Sequence, residues 1–272
     1  MVWLISFDFL RLVLEPTVQK TRCVGIQKVK CETVQAYLAA VVQEMGRTLS
    51  SEDEPVLLWR GQADVAWALA PRLGRDWEND PNQLPRVEKQ MFKEFVTSAR
   101  HLWPTSLDND WDRLSLAQHY GMRTRLLDWS ANPLVALWFA LAENCQSDAA
   151  VWAFRPKQGK VVYQPTSRQL PFDVKLTSAF RPITHSARVA MQAGWHTVHS
   201  FEKGVGLRAI DQMTRHKSSL RLFRIPSKKR RPMLKALEAS GISVANIFGD
   251  LPSLCASITN RHHPAQYVAA RA

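Results

Sequence analysis

Hydrophobic positions along this chain follow two rhythms. From Val34 to Met45 (VQAYLAAVVQEM) the apolar residues recur at helical spacing, and Thr33 stands where a cap belongs, its hydroxyl able to accept a backbone N–H of the first turn. Pro85 to Leu102 repeats the pattern: Val87, Met91, Phe92, Phe95 and Ala99 lie at helix-compatible intervals, and Glu88, Lys89, Lys93 and Glu94 form a polar face. Trp111 to Tyr120 predicts a further helix leading into Gly121. Asn132 to Ala142 is an apolar helical segment entered through Pro133, whose missing N–H is not needed in a first turn. Arg231 to Ser240 predicts a late helix stopped by Gly241.

The second rhythm is that of strands. Short apolar runs bounded by turn formers occur at Pro55–Trp59, ended by Arg60-Gly61, and at Arg125–Leu127, followed by a turn at Asp128-Trp129-Ser130. Ala149–Phe154, Lys160–Tyr163, Trp195–His199 and Leu220–Ile225 complete the set, with a short segment at Arg188–Gln192. Trp67–Leu73 is semi-extended and broken by Pro71; residues 164–187 are rich in Pro and Ser and predict a long loop. Helices and strands mix without regular βαβ alternation and without an internal repeat. The expected class is therefore α+β, a mixed or mostly antiparallel sheet with flanking helices. The expected organisation is an extension at 1–25, one domain at 26–258 and a tail at 259–272.

Composition adds bounds. A chain of 272 residues, 46% hydrophobic, buries a substantial core. Its four cysteines, Cys23, Cys31, Cys145 and Cys255, have no C-x-x-C spacing, which argues for reduced thiols in a cytoplasmic protein and against zinc. His101, His185, His196, His199, His216 and His262-His263 lack ligand spacing, so no metal is expected. Residues 1–14 are apolar but carry Asp8 and Arg11, and they read as an appended strand or helix, or a frayed leader, rather than a signal peptide. No run approaches the ~20 apolar residues of a membrane span, so no membrane partner is expected. The net charge of +12 is concentrated after residue 200 and peaks at Lys228-Lys229-Arg230-Arg231. Such a run suits either a solvated helix start or contact with a nucleic-acid backbone.

The candidate chemistry lies in the stretch Gln118-His119-Tyr120-Gly121-Met122-Arg123-Thr124-Arg125-Leu126-Leu127-Asp128-Trp129-Ser130 and in Trp59-Arg60-Gly61-Gln62. An Arg at the end of a hydrophobic strand can grip phosphate or carboxylate with its fork. Gly61 lets backbone approach a ligand closely, and Gln62 adds an orientable amide. His119 suits an acid/base group, a ligand donor or a helix C-terminal cap. Asp128 is early for the cap of the following helix, where Ser130 or Asn132 fits better, which favours it as an organiser of its loop through Arg60 or Arg125. Trp129 reads as a stacking platform or as core.

Taken together, Trp59-Arg60-Gly61-Gln62, Trp67-Ala-Leu69-Ala-Pro71-Arg72, Glu88 with Phe92 and Phe95, and Leu116 to Ser130 followed by Asn132-Pro-Leu-Val-Ala-Leu-Trp-Phe-Ala140 resemble the FRG domain family, with Trp59 in place of the signature Phe. The resemblance continues weakly through Ala187–Gly194 with Thr197 and through Leu237–Leu251, covering roughly 30–258. The motif order is also similar to that of ADP-ribosyltransferases: a first strand ending in Arg-Gly, a second with a Ser/Thr motif before a helix, a third carrying Glu. Arg60-Gly61 matches the first, Leu126–Ser130 the second, and Gln192 stands where the third is expected.

The resemblance implies an NAD-dependent ADP-ribosyltransferase or NAD glycohydrolase, a toxin or anti-phage effector. Its catalytic group is Arg60, His119, Asp128 and Gln192. Arg60, Gly61, Gln62, Tyr120, Thr124, Trp129 and Ser130 would hold NAD, and Lys228 to Arg231 would meet a nucleic-acid or ribonucleoprotein target. An antitoxin or immunity protein is an implied partner. Gln192 cannot serve as a base, so Asp128, Glu88 or Glu202 must supply the carboxylate that a developing sugar cation calls for. The alternatives are a non-catalytic nucleotide- or nucleic-acid-binding module and a nuclease using His119 and Asp128.

Overall fold

A computed structural model describes residues 25–47, 56–75, 77–102, 107, 109–143, 145–156, 161–162, 170–182 and 191–262. The expected extension and tail, His185 and Arg188 lie largely or wholly outside them. An eight-stranded sheet runs in the order β1 (Gln27–Lys30), β10 (Leu220–Ile225), β4 (Ala149–Phe154), β2 (Leu58–Gln62), β3 (Leu126–Ser130), β7 (Gly194–Val198), β6 (Ser178–Phe180), β5 (Val161–Val162). Its inner pairs are antiparallel; only the edge pairs β1–β10 and β5–β6 are parallel. β8 (Phe201–Glu202) and β9 (Gly206–Leu207) form a separate hairpin. The helices are α1 (Val34–Gly46), α2 (Arg72–Arg75), α3 (Leu84–Ser98), α4 (Asp110–His119), α5 (Pro133–Ala142), α6 (Thr214–Lys217), α7 (Arg230–Ala239), α8 (Val244–Phe248) and α9 (Leu251–His262). The α+β class is as expected.

The period of two along the central strands sorts their side chains onto two cores. In β4, Ala149, Val151 and Ala153 face one side with Trp59 and Phe223, where α1, α5, α7 and α8 cover them. Ala150, Trp152 and Phe154 face the other side with Leu58, Trp129 and Leu222. A third cluster, Phe92, Trp111, Leu114, Leu126, Phe180 and Val198, seats α3 and α4 beside β3, β6 and β7. Among the described residues, no helix is long and apolar enough to cross a membrane.

Caps behave as their residues dictate. Thr33 accepts from Ala36 N at 3.1 Å. Asn132 Oδ1 accepts from Leu134 N at 2.9 Å and starts α5. α4 ends in a paired C-terminal motif: Gly121 N donates to Gln118 O and Met122 N to Ala117 O, both at 2.9 Å, with Gly121 at φ +95°.

Two expectations on strand limits are corrected. β2 begins at Leu58 and runs through Arg60-Gly61 to Gln62, so Arg60 lies inside a strand flanked by β4 and β3, not at a strand end. Asp128-Trp129-Ser130 is strand rather than turn, because each of the three pairs with β7: Asp128 with His196, Trp129 with Trp195, Ser130 with Gly194. The expected loop at 164–187 also contains β6.

Candidate functional site

β2 and β3 are joined by a single registered pair, Trp59 with Ser130. Beyond it they part, and the Arg60 side chain spans the gap, Nη1 donating to the Asp128 carbonyl at 2.7 Å. The parting opens a cleft of about 260 Å³ whose walls include Arg60, Arg72 and Arg75, Ser115, Gln118 and His119 of α4, Asp128 of β3, and Gln192 and His196. Ser115, Gln118 and His119 stand at i, i+3 and i+4, so one helix face presents all three.

Charge in the cleft is lopsided. Three arginines face one carboxylate, since Asp128 is the only acidic residue among the described residues that line it. Burial pushes the Asp128 carboxyl up, but the hydrogen bond and charge of His196, the charge of Arg60 and the hydrogen bond from Gln118 outweigh it and hold the group at about 2. Asp128 is thus ionised at neutral pH, with its side chain still 63% exposed to the cleft mouth. Burial lowers Arg60 to about 10, with Asp128 pulling the other way and Arg75 adding repulsion. Arg60 keeps its charge at neutral pH.

Three buried polar atoms in this wall make no hydrogen bond among the described residues: Arg60 Nε, Gln192 Nε2 and His196 Nδ1, the last at ion-pair distance from Asp128. Such groups cost about 1–3 kcal/mol each when left unsatisfied, so Arg60 Nε and Gln192 Nε2 are poised for a ligand oxygen or for water. No cluster of metal-ligating side chains occurs among the described residues.

Arg60, His119, Asp128 and Gln192, named from separate parts of the chain, all line this cleft, as do Thr124 and Trp129. Several other expected roles are corrected. Gly61 faces α5, not a ligand: a Cβ there would stand 2.5 Å from Ala140 N and closer still to Ala136 O. Alternation along β2 requires this, since Gly61 shares its face with Trp59. Gln62 is 3% exposed and structural, accepting from Trp152 Nε1 at 2.8 Å. Tyr120 is 71% exposed and is not among the lining residues. Ser130 is held in the framework, donating to Gln192 O at 2.6 Å and accepting from Asn132 N. Trp129 is chiefly core, with Nε1 donating to Thr197 Oγ1 at 3.0 Å.

Of the alternative carboxylates, Glu88 is fully buried against Arg125, accepting from its Nε at 2.7 Å and from its backbone N at 2.9 Å. Arg125 is therefore not the partner of Asp128. Glu202 pairs with Arg208 on the β8–β9 hairpin and does not line the cleft. The basic run is also divided. Arg230 is buried and donates to the carbonyls of Ala63, Ser147 and Glu143, tying α7 to the end of α5, so it is not available to a nucleic acid. Lys229 lies 3.8 Å from Glu32, while Lys228 and Arg231 are exposed.

Sequence reasoning missed Ser115, His196, Arg72, Arg75 and the role of Gln118. Arg72 stood in a quoted motif without a role, and His196 was set aside as isolated. Only its strand pairing with Asp128 brings it to the site.

Fold and cleft together define an α+β protein with an arginine-lined site at a split between two central strands. Residues 56–149 match the FRG domain family. That segment runs from just before β2 to the start of β4 and contributes the Arg60, α4 and Asp128 walls; Gln192 and His196 come from beyond it. No curated protein and no solved structure matches the chain.

Proposed function

We propose that the cleft binds NAD and breaks its nicotinamide–ribose bond, as an ADP-ribosyltransferase or NAD glycohydrolase. The observation that carries this reading is the shared wall: Arg60, His119, Asp128 and Gln192 converge on one cleft in which an ionised carboxylate faces three arginines. The arginines suit a pyrophosphate. Asp128 suits the positive charge that develops on the ribose as nicotinamide departs. Nicotinamide leaves as a neutral ring and needs no proton, so a carboxylate too acidic to be a general acid is no handicap. The unpartnered Gln192 Nε2 can donate to a ribose hydroxyl. A cleft of about 260 Å³ is smaller than the ~300–1,000 Å³ of common ligand sites and fits one end of a dinucleotide, the rest lying along the surface.

Strand adjacency supports the same reading. Arg60 on β2, Ser130 at the end of β3 before α5, and Gln192 just ahead of β7 follow the motif order in neighbouring strands. The test is nicotinamide release from NAD, measured by chromatography. Arg60→Ala and Asp128→Asn are expected to lower it by about 10²–10³-fold each. Unchanged release in both variants, or none from the parent protein, removes the reading. As an effector, the protein would arrest growth when expressed, and Asp128→Asn would relieve the arrest. Its acceptor would be a nucleic acid or a protein, and the exposed Lys228 and Arg231 could guide a polyanionic one.

A further inference from the structure

Three side chains in the cleft form an array that bond cleavage alone does not require. Ser115 Oγ lies 2.7 Å from His196 Nε2, and His196 Nδ1 lies 3.0 Å from Asp128 Oδ1. The same Oδ1 accepts from Gln118 Nε2, and Gln118 Oε1 accepts from the Thr124 hydroxyl. His196 Nδ1 stands at ion-pair distance from the carboxylate without a directed hydrogen bond to it. In the tautomer that carries its proton on Nδ1, beside the carboxylate, Nε2 presents its lone pair to the serine hydroxyl. This is the order of nucleophile, base and orienting carboxylate that activates a hydroxyl.

The array rests on α4, β7 and β3, elements of the packed framework rather than loops, which holds its geometry. A buried helical serine commonly turns its hydroxyl to a carbonyl of its own helix. Ser115 instead reaches an imidazole 81 residues away. Ser115 is 2% exposed and His196 9%, and both line the cleft, so the hydroxyl is approached from inside the cleft. Asp128 divides its two oxygens: Oδ1 accepts from Gln118 and lies 3.0 Å from His196 Nδ1, while Oδ2 accepts no hydrogen bond from a described residue and is left for the substrate.

We propose that Ser115 is the first acceptor of the ADP-ribosyl group, so that the protein modifies itself within its own cleft. This inference rests on the NAD reading. Ser115 Oγ attacks C1′ of the nicotinamide-side ribose. The Oγ–C1′ bond forms and the C1′–nitrogen bond breaks, its electron pair leaving with neutral nicotinamide. The serine proton passes to His196 Nε2, and Asp128 stabilises the imidazolium before the proton is lost to solvent. The product is an O-glycosidic acetal on Ser115, which survives denaturation.

The full chain is incubated with NAD, quenched at intervals in denaturant, digested and analysed by mass spectrometry, with nicotinamide measured in parallel. The expected result is an ADP-ribose adduct on the α4 peptide at Ser115, growing with a burst of one nicotinamide per chain. His196→Ala slows adduct formation by about 10²–10⁴-fold. Ser115→Ala abolishes the adduct, and Ser115→Cys, which keeps the side-chain size, moves it to sulfur at the same position. Nicotinamide release without an adduct at residue 115 at any time overturns the self-modification and leaves the NAD reading standing. Absence of nicotinamide release overturns both.

Discussion

Gly61→Ala separates a packing role from a ligand role at the signature glycine. The added Cβ would stand 2.5 Å from Ala140 N, well inside the ~3.5 Å at which a carbon and its neighbour begin to attract. The obstructing atoms are helix backbone, so no rotamer change relieves the clash. Either α5 lifts from the sheet by about 1 Å or β2 bends. α5 is wedged among Trp59, Val151, Phe223 and Phe248, all nearly fully buried, and such interiors do not yield locally. Overpacking in cores costs about 1–3 kcal/mol, and an obstacle made of backbone belongs at the upper end. A loss of about 3 kcal/mol in a domain of this size lowers Tm by about 6–12 °C. Thermal unfolding followed by circular dichroism measures it, with denaturant titration as a check. A variant with the parent's Tm and a selective loss of NAD turnover would refute the packing argument and return Gly61 to the ligand.

Other outcomes follow from the same structure. Glu88→Gln leaves Arg125 charged and fully buried, and is expected to cost about 3–5 kcal/mol in urea unfolding; a parent-like midpoint would show that the pair contributes nothing. Burial holds His199 down at about 3, with Nδ1 donating to the Arg208 carbonyl. The unfolded chain therefore binds a proton that the folded one refuses between about pH 6.5 and 3, so stability falls with acidification by up to about 1.4 kcal/mol per pH unit. Asp128, depressed to about 2, loses its contribution as pH falls from about 4, the unfolded value, to about 2, so the slope between pH 6 and 5 reports on His199, and a His199→Gln variant should flatten it. Arg230→Ala should destabilise the fold by orphaning three carbonyls, whereas Lys228→Ala should leave stability within about 0.5 kcal/mol of the parent; equal effects would contradict the division of the basic run.

Much of the fold was legible because its causes are local. Thr33, Asn132, Gly121 and Gly241 punctuate helices through bonds to residues two or three positions away, Pro133 does so through its fixed ring, and the periodicities of 34–45 and 133–142 need no partner to be read. Misreadings arose where the partner is distant. Asp128-Trp129-Ser130 has the composition of a turn, yet pairing with β7 makes it strand. Glu88 occupies the polar side of an amphipathic pattern, yet Arg125, 37 residues on, draws it into the interior.

The sequence by itself determined the class of fold and the approximate limits of its major helices, and it singled out Arg60, His119, Asp128 and Gln192, which line one cleft. Hydrophobic period, capping chemistry and motif order are all properties of neighbouring residues. Only the tertiary structure decided that Gly61 serves α5, that Arg230 is a framework residue, and that Arg72, Arg75, Ser115 and His196 belong to the site. Those assignments depend on which strands pair and where β2 and β3 part. Strand pairing is set by contacts between distant segments, and a single chain read in order does not display them.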